Sequence, residues 1–527
     1  MNRSISLTVT LFVLIGQCSA GHLSVVMNRY DYFGTGANSH ERVLNVDNVQ
    51  VSTFGKLFRY EVDGSVYAQP LYVSGVKIPG RGIHNVLYVA TMNDHVYAFD
   101  ADVAGPALWT RDFTNTAAGV SPVPIVDITH NNNLNIVGNV GILGTPVIDE
   151  SSQTIYLVAR IKENGTYVQR LHALDIRDGR NRIESVIIQA TVKSTAPDAV
   201  NGTLHFNPKT NNQRPALTLT HNMILIAWAS HEDIKPYHGW IMAYDAKSLK
   251  QVAVFCTTPS GIEGGIWQSG RGAVVNRSGD IYYEIGNGDW NGTTDFGESL
   301  IKLRIRKGHF DVLDYYTPAN YQALNKRDAD FGSSGPALIP KTDVVICGDK
   351  HGVLTLLNTR DLGKLNPDGK QLLQSLPVNG GRVLNGPALW KSSTGLRLFL
   401  WGEADVPKVF RFQGSRLDPA VFAKGTVASH GSPGGALTVS SDGSKTGTGV
   451  LWAMLTLNRS ADHGNAAGVL RAFDAETLRE LWNSEQNPTR DRLGTLVKFV
   501  PPTVVAGKVY AATYDNSVMV YGELHWH

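Results

Sequence analysis

The sequence predicts an all-β fold: an eight-bladed β-propeller of four-stranded antiparallel blades. Three observations carry this reading. One unit recurs along the chain: an apolar run, a turn, a second apolar run often ending in Asp, and a third that can end in Trp. Alternation inside the runs has period two and helical periodicity is nearly absent, as in Val96-Tyr-Ala-Phe-Asp100 and Ile241-Met-Ala-Tyr-Asp245. Glycine contributes 53 of 527 residues, a tenth of the chain against a usual ~7%, and sits with Asn, Asp and Ser between the runs, where turns need it.

Taken in order, residues 1–20 read as a secretory signal. Arg3 supplies the positive start, Leu7 to Gly16 the apolar core, and Cys18-Ser19-Ala20 the small residues before a cut at Gly21. That run is shorter than the ~20 apolar residues of a membrane span. Residues 21–50 are a lead segment and 51–523 the propeller. The clearest unit is Val86 to Asp100 followed by Leu108-Trp109, and a second is Gly468 to Asp474 followed by Leu481-Trp482. Equivalent third runs end near Asp175, Asp245, Arg304, Asn358, Gln413 and Gly522, a mean spacing of about 60 residues, enough for four short strands. The last unit lacks an outer strand, and Thr53 to Tyr60 can supply it, tying the two ends together. Residues 524–527, with His525 and His527, read as a solvated tail.

Composition excludes several classes. Lys+Arg 48 against Asp+Glu 46 leaves too little net charge to attract a nucleic acid, and 18% charged residues are too few for a disordered chain. Secretion fits sequons at Asn164, Asn201, Asn276, Asn291 and Asn458. After the signal only Cys256 and Cys347 remain, both inside apolar strand-like runs, so buried free thiols are expected. No Ser-His-Asp order, P-loop or dinucleotide fingerprint is present. His430-Gly-Ser-Pro-Gly-Gly435 reads as an inner strand near the axis, where close approach favours glycine.

The repeat resembles that of the pyrroloquinoline quinone (PQQ) enzymes, roughly V-Y-x-G-x-x-D-G-x-L-Y-A-L-D-x-x-T-G-x-x-x-W. Three stretches resemble the quinoprotein dehydrogenases more closely. Gly265-Ile-Trp-Gln-Ser-Gly-Arg-Gly272 with Asp280-Ile-Tyr-Tyr-Glu-Ile-Gly-Asn287-Gly-Asp-Trp290 is similar to the segment that supplies a tryptophan floor and a metal-binding Asn. Tyr316-Thr-Pro318 followed by Asp328-Ala-Asp330 is similar to T-P-H-D-x-W-D, which bears the catalytic aspartate, though the spacing differs and the His and Trp are missing. Cys347-Gly-Asp-Lys350-His-Gly resembles a G-K-x-G segment whose Lys lies close to the cofactor. Ser52 to Phe58, Val66 to Tyr72 and Pro236-Tyr-His-Gly-Trp240 also look like a group of secreted PQQ-like propellers.

The resemblance implies an oxidoreductase acting on an alcohol or sugar with PQQ and Ca²⁺ at the axis. Glu232 and Asn287 would bind metal, Asp328 or Asp330 would be the base, Trp267 the floor, and Lys350 and Arg271 cofactor contacts. The chemistry suits these residue types: a hard cation takes carboxylate and amide oxygens, and a carboxylate can take a hydroxyl proton. The vicinal Cys pair of many alcohol-oxidising quinoproteins is missing, and no Cys-x-x-Cys-His attaches a haem, so electrons would leave to an external acceptor. The alternative is a non-catalytic propeller that binds a protein or glycan on one face.

Overall fold

A computed structural model describes residues 23–129, 135–367, 369, 371–378 and 381–524; the signal segment 1–20, His525 and His527 lie outside the described residues. Eight blades of mainly antiparallel sheet are arranged as a propeller, with a separate two-stranded ribbon of Thr191–Lys193 and Thr203–His205. Blade 1 is built from Leu71–Ile78, Gly82–Ala90, His95–Asp100 and Trp109–Asp112. Inner strands of blades 2 to 7 are Val147–Asp149, Thr218–Thr220, Val274–Val275, Ala337–Leu338, Ala388–Ser392 and Ala436–Ser440. Third strands end at Asp100, Asp175, Asp245, Arg306, Asn358, Gln413, Asp474 and Glu523, following the repeat in the sequence. Apolar residues on both faces of each sheet pack against the next blade, because every sheet except its outermost strand is covered on two sides.

Blade 8 closes the ring as predicted. Phe54–Glu61 pairs antiparallel with Ser517–Glu523, whose other side continues to Lys508–Ala512 and Thr503–Val505. Phe54 is fully buried between Trp452 and Trp482 of blade 7, with ring centroids 5.4 and 5.0 Å away. Burying one such side chain contributes about 2–3 kcal/mol. The Asp491 carboxylate accepts the Lys56 N–H, so the first strand is also fastened by its neighbour's loop.

The lead segment straps one end of the ring. Ser24–Val25 adds to the inner strand of blade 1, and Ala37–Asn38 runs parallel to the inner strand of blade 7. Between them, carbonyls of Val26, Tyr32, Phe33, Thr35 and Gly36 accept N–H groups of Ile148, Val275, Leu338, Leu389 and Val439, on blades 2, 4, 5, 6 and 7. The Asn38 side chain donates to the Val504 carbonyl of blade 8. These bonds satisfy inner-edge N–H groups that would otherwise face the channel. Voids of about 10 Å³ along this end, bordered by Asn28 and Arg29, hold at most one water each.

One local expectation is refined. The run 430–435 is the loop entering the inner strand Ala436–Ser440 rather than the strand itself; Gly435 lies against Trp401, where a Cβ would come within 3.0 Å of that side chain. Cys256 and Cys347 are buried and unpaired. Among the described residues no helix is long and apolar enough to cross a membrane.

Candidate functional site

The end of the channel opposite the strap opens into a cavity of about 510 Å³, within the usual range for small-molecule sites. Its wall follows from the fold. Arg214, Leu384, Ser432 and Phe499 each stand four residues ahead of an inner strand, and Trp267 and Asp330 each stand seven ahead. Loops between second and third strands supply the remainder: Ser230 to Tyr237 in blade 3, Asn287 in blade 4, Lys350 in blade 5, Asp462 and His463 in blade 7. Both kinds of loop emerge on one face of a propeller, so residues far apart in sequence meet.

Five of the sequence-predicted residues form one bonded cluster. Asp330 Oδ2 accepts the Trp267 Nε1–H at 3.0 Å and lies 2.8 Å from Lys350 Nζ, while Asp330 Oδ1 accepts the Asn287 backbone N–H at 2.9 Å. Asp328 Oδ1 accepts from Lys350 Nζ and from Asn287 Nδ2, both at 2.7 Å. Asp330 is buried, whereas Asp328 is open to the cavity. Although burial works against it, the charges of Asp330 and Asp328 hold the Lys350 ammonium above its usual range. Its Nζ also sits 5.5 Å over the Trp267 ring.

Local sequence explains the cluster. The helix Tyr321–Lys326 fills the added spacing between Tyr316-Thr-Pro318 and Asp328, and Asn325 Oδ1 accepts the Gly288 N–H at 2.9 Å, clamping the Asn287 turn. Gly286 is required there, since a Cβ would come within 2.9 Å of Asp330 Oδ1. Left-handed backbone recurs around the cavity, at Glu232, Asp233, Asp328 and Phe499. Such conformations cost of order 1–3 kcal/mol each and are held only by surrounding structure.

Glu232 and Arg271 stand apart from the cluster. Glu232 lines the same cavity, but Lys498 and His463 are the cationic groups nearest in effect; burial raises its carboxyl and they pull it back. Arg271 lies outside the cavity lining. Its buried guanidinium donates to the carbonyls of Gly34 and Gly335, joining blade 4 to the strap. A cation spent on carbonyls at the closed end has no donor left for a cofactor at the open one.

Other residues were not legible in the motifs. Glu298 is buried next to Asp330; burial first and then the Asp330 charge push its carboxyl well above the usual range. Its Oε2 accepts the Phe331 N–H at 2.7 Å and Oε1 has no partner. Arg214 and Phe499 complete the floor. The Phe499 ring meets Trp267 edge-on at 6.0 Å, and the Arg214 guanidinium lies 4.8 Å from Phe499 and 5.8 Å from Tyr67. Lys350, Trp267, Phe499, Arg214 and Tyr67 thus form a continuous chain of cation–ring and ring–ring contacts across the axis. Its one sequence signal is register: Arg214 and Phe499 hold equivalent positions ahead of inner strands.

Among the described residues no three His, Cys, Asp or Glu side chains are arranged to hold a metal. Lys350 already occupies the space between Asp328 and Asp330, and Glu232 is not joined to them, so the residues as placed do not fit Ca²⁺. A planar quinone fits better: the cavity volume suffices, Trp267 offers a ring, and the buried Asn287 Oδ1 has no partner.

This geometry defines a propeller with a funnel-shaped polar site at its axis. No family model and no curated protein matches the chain by sequence. Among solved structures it is similar to the quinohaemoprotein alcohol dehydrogenase ADHIIG of Pseudomonas putida HK5, with TM-score 0.55 and 13% identity over 95% of this chain and 80% of that one. A europium-containing methanol dehydrogenase matches with TM-score 0.47 and 15% identity, over 93% and 81% of the two chains. BamB from Moraxella catarrhalis matches with TM-score 0.47 and 10% identity, over 90% and 99%. At these identities the likeness is one of fold.

Proposed function

We propose that the protein is an oxidoreductase that removes hydride from a hydroxyl carbon of a small polar molecule, an alcohol or sugar, using a quinone cofactor such as PQQ in the axial funnel. The sequence signal at residues 1–20 supports action outside the cytoplasm. One observation carries the reading: Asp330 is buried at the funnel floor and fixed from three directions, by Trp267, Lys350 and the Asn287 N–H. A carboxylate has about four acceptor sites, so one lone pair remains for a substrate hydroxyl.

The quinone would supply the hydride acceptor. The chain's own residues do the rest. Asp330 takes the hydroxyl proton as general base, because it adjoins the Trp267 ring on which a planar group would rest. Lys350 orients Asp330, and Asp328, held by Lys350 and Asn287, positions Lys350. Asn287 Oδ1 is the acceptor for a polar hydrogen of the bound molecule. No step here requires a metal.

Adding PQQ to the purified protein should give bound quinone by absorbance and dye-linked alcohol oxidation. Asp330→Asn should keep the bound quinone and lower the rate about 10²–10⁴-fold, the share of a positioned general base. Absence of quinone binding at saturating cofactor would overturn the proposal and favour a binding scaffold.

A further inference from the structure

The funnel is electrically two-ended. At one end Asp328 and Asp330 share Lys350. At the other end Arg382 is neutralised by Glu403 and Asp462, at 2.6 and 2.9 Å. Lys498 is buried and gives its ammonium to the Ala461 carbonyl at 2.8 Å and to Asn135 Oδ1 at 3.2 Å; burial and then the nearby Arg214 pull its pKa down to about 8. Arg214 differs from all of these. Among the described residues no hydrogen bond or ion pair reaches its guanidinium, which is held only by the faces of Tyr67 and Phe499. No carboxylate figures among the charges that act on it.

Buried arginines elsewhere in this chain behave otherwise. Arg29 donates to the carbonyls of Leu437 and Pro387, and Arg271 to those of Gly34 and Gly335. Arg214 is only half-buried and lines the cavity, so its N–H groups face the space a ligand would occupy instead of protein acceptors. Stacking between rings leaves the planar N–H fork at its edge free, the geometry that receives a carboxylate in two parallel hydrogen bonds. Phe499 is aimed at Arg214 by a left-handed backbone, φ +69°.

We propose that Arg214, backed by Lys498, is a subsite for a carboxylate on the bound molecule. The ligand then has an anionic group at the Arg214 end and a hydroxyl at the Asp330 end, with Trp267 and Phe499 beneath its middle. In substrate terms this is a hydroxy acid or a sugar acid. The hydroxyl end rests on the function proposed above; the carboxylate end does not. PQQ is itself a polycarboxylate, so the carboxylate can belong to the substrate or to the cofactor.

Calorimetry on the full purified chain decides this with D-gluconate and D-sorbitol, which differ in a carboxylate against a hydroxymethyl group. Gluconate should bind at least about tenfold tighter than sorbitol, and Arg214→Gln should remove that difference. Arg214→Lys, a point charge without the fork, should retain part of it. Equal binding of the two sugars, or an unchanged gluconate affinity in a folded Arg214→Gln, overturns the subsite. Asp330→Asn separates the two ideas: gluconate binding that persists in this variant supports the subsite even where no oxidation is found. Titration with PQQ distinguishes the sources. Weakened PQQ binding in Arg214→Gln, with gluconate competing, assigns the cofactor's carboxylate; unchanged PQQ binding assigns the substrate's.

Discussion

The two ends of the central channel bury comparable groups and treat them in opposite ways. At the strapped end, Arg29 and Arg271 spend their guanidinium donors on backbone carbonyls of the strap and of blades 5, 6 and 7. The voids bordered by Arg29 there are no larger than a water. At the open end, Arg214 lacks an acceptor, Asn287 Oδ1 and Glu298 Oε1 lack donors, and Asp328 stands open to a cavity of about 510 Å³. Folding alone selects against unpaired buried polar groups. Unpaired buried atoms occur at both ends, Asn28 Oδ1 and Arg29 Nε under the strap and Asn287 Oδ1 and Glu298 Oε1 beside the funnel, so it is the cavity, with Asp328 and Arg214 in its wall, that marks the open end as the part of the ring built for a ligand.

Substituting one arginine at each end tests this contrast with the largest effect. Arg29→Met would leave the Leu437 and Pro387 carbonyls unpaired beneath the strap and should cost about 3–5 kcal/mol by urea denaturation. Arg214→Gln removes a charge that has no partner and should cost under about 1 kcal/mol, or stabilise. Similar losses at both sites would break the contrast. A smaller effect is expected within the open end. Lys350→Met leaves Asp328 and Asp330 facing each other without their shared cation and should cost about 2 kcal/mol by urea denaturation.

The propeller was legible because its signal is local and repeated. Asp100, Asp175, Asp245, Asn358, Gln413 and Asp474 end the third strands of their blades, and Phe54 to Tyr60 lies in the strand that closes the ring. The strap was not legible. Its bonds are made by backbone carbonyls of Val26 to Gly36, which leave no side-chain pattern. At the site, Trp267, Asn287, Asp328, Asp330 and Lys350 could be chosen from motifs on adjoining blades, and the structure brings them together. Arg271 shares the Trp267 segment, yet a motif does not encode which way a long side chain turns. Arg214 and Phe499 belong to no motif, since ring closure alone brings blades 3 and 8 to one floor.

The smallest effect is the most diagnostic of the open end, because it reads one proton. Glu298 is buried with a single donor, the Phe331 N–H, and stands beside the Asp330 charge, so its carboxyl lies well above the usual value of 4.5. A carboxyl whose pKa is raised on folding holds its proton in the native state after the unfolded chain has lost it. The stability it contributes is complete below pH 4.5 and is lost as pH rises toward the native pKa. Glu298→Gln keeps an oxygen for the Phe331 N–H and cannot ionise. Melting curves of the two proteins should therefore diverge as pH rises from weakly acid to alkaline, the wild type losing up to about 1.4 kcal/mol per pH unit more than the variant. Parallel curves would mean that Glu298 is already charged in the native state. A third anion would then lie beside the two carboxylates that already share the single charge of Lys350.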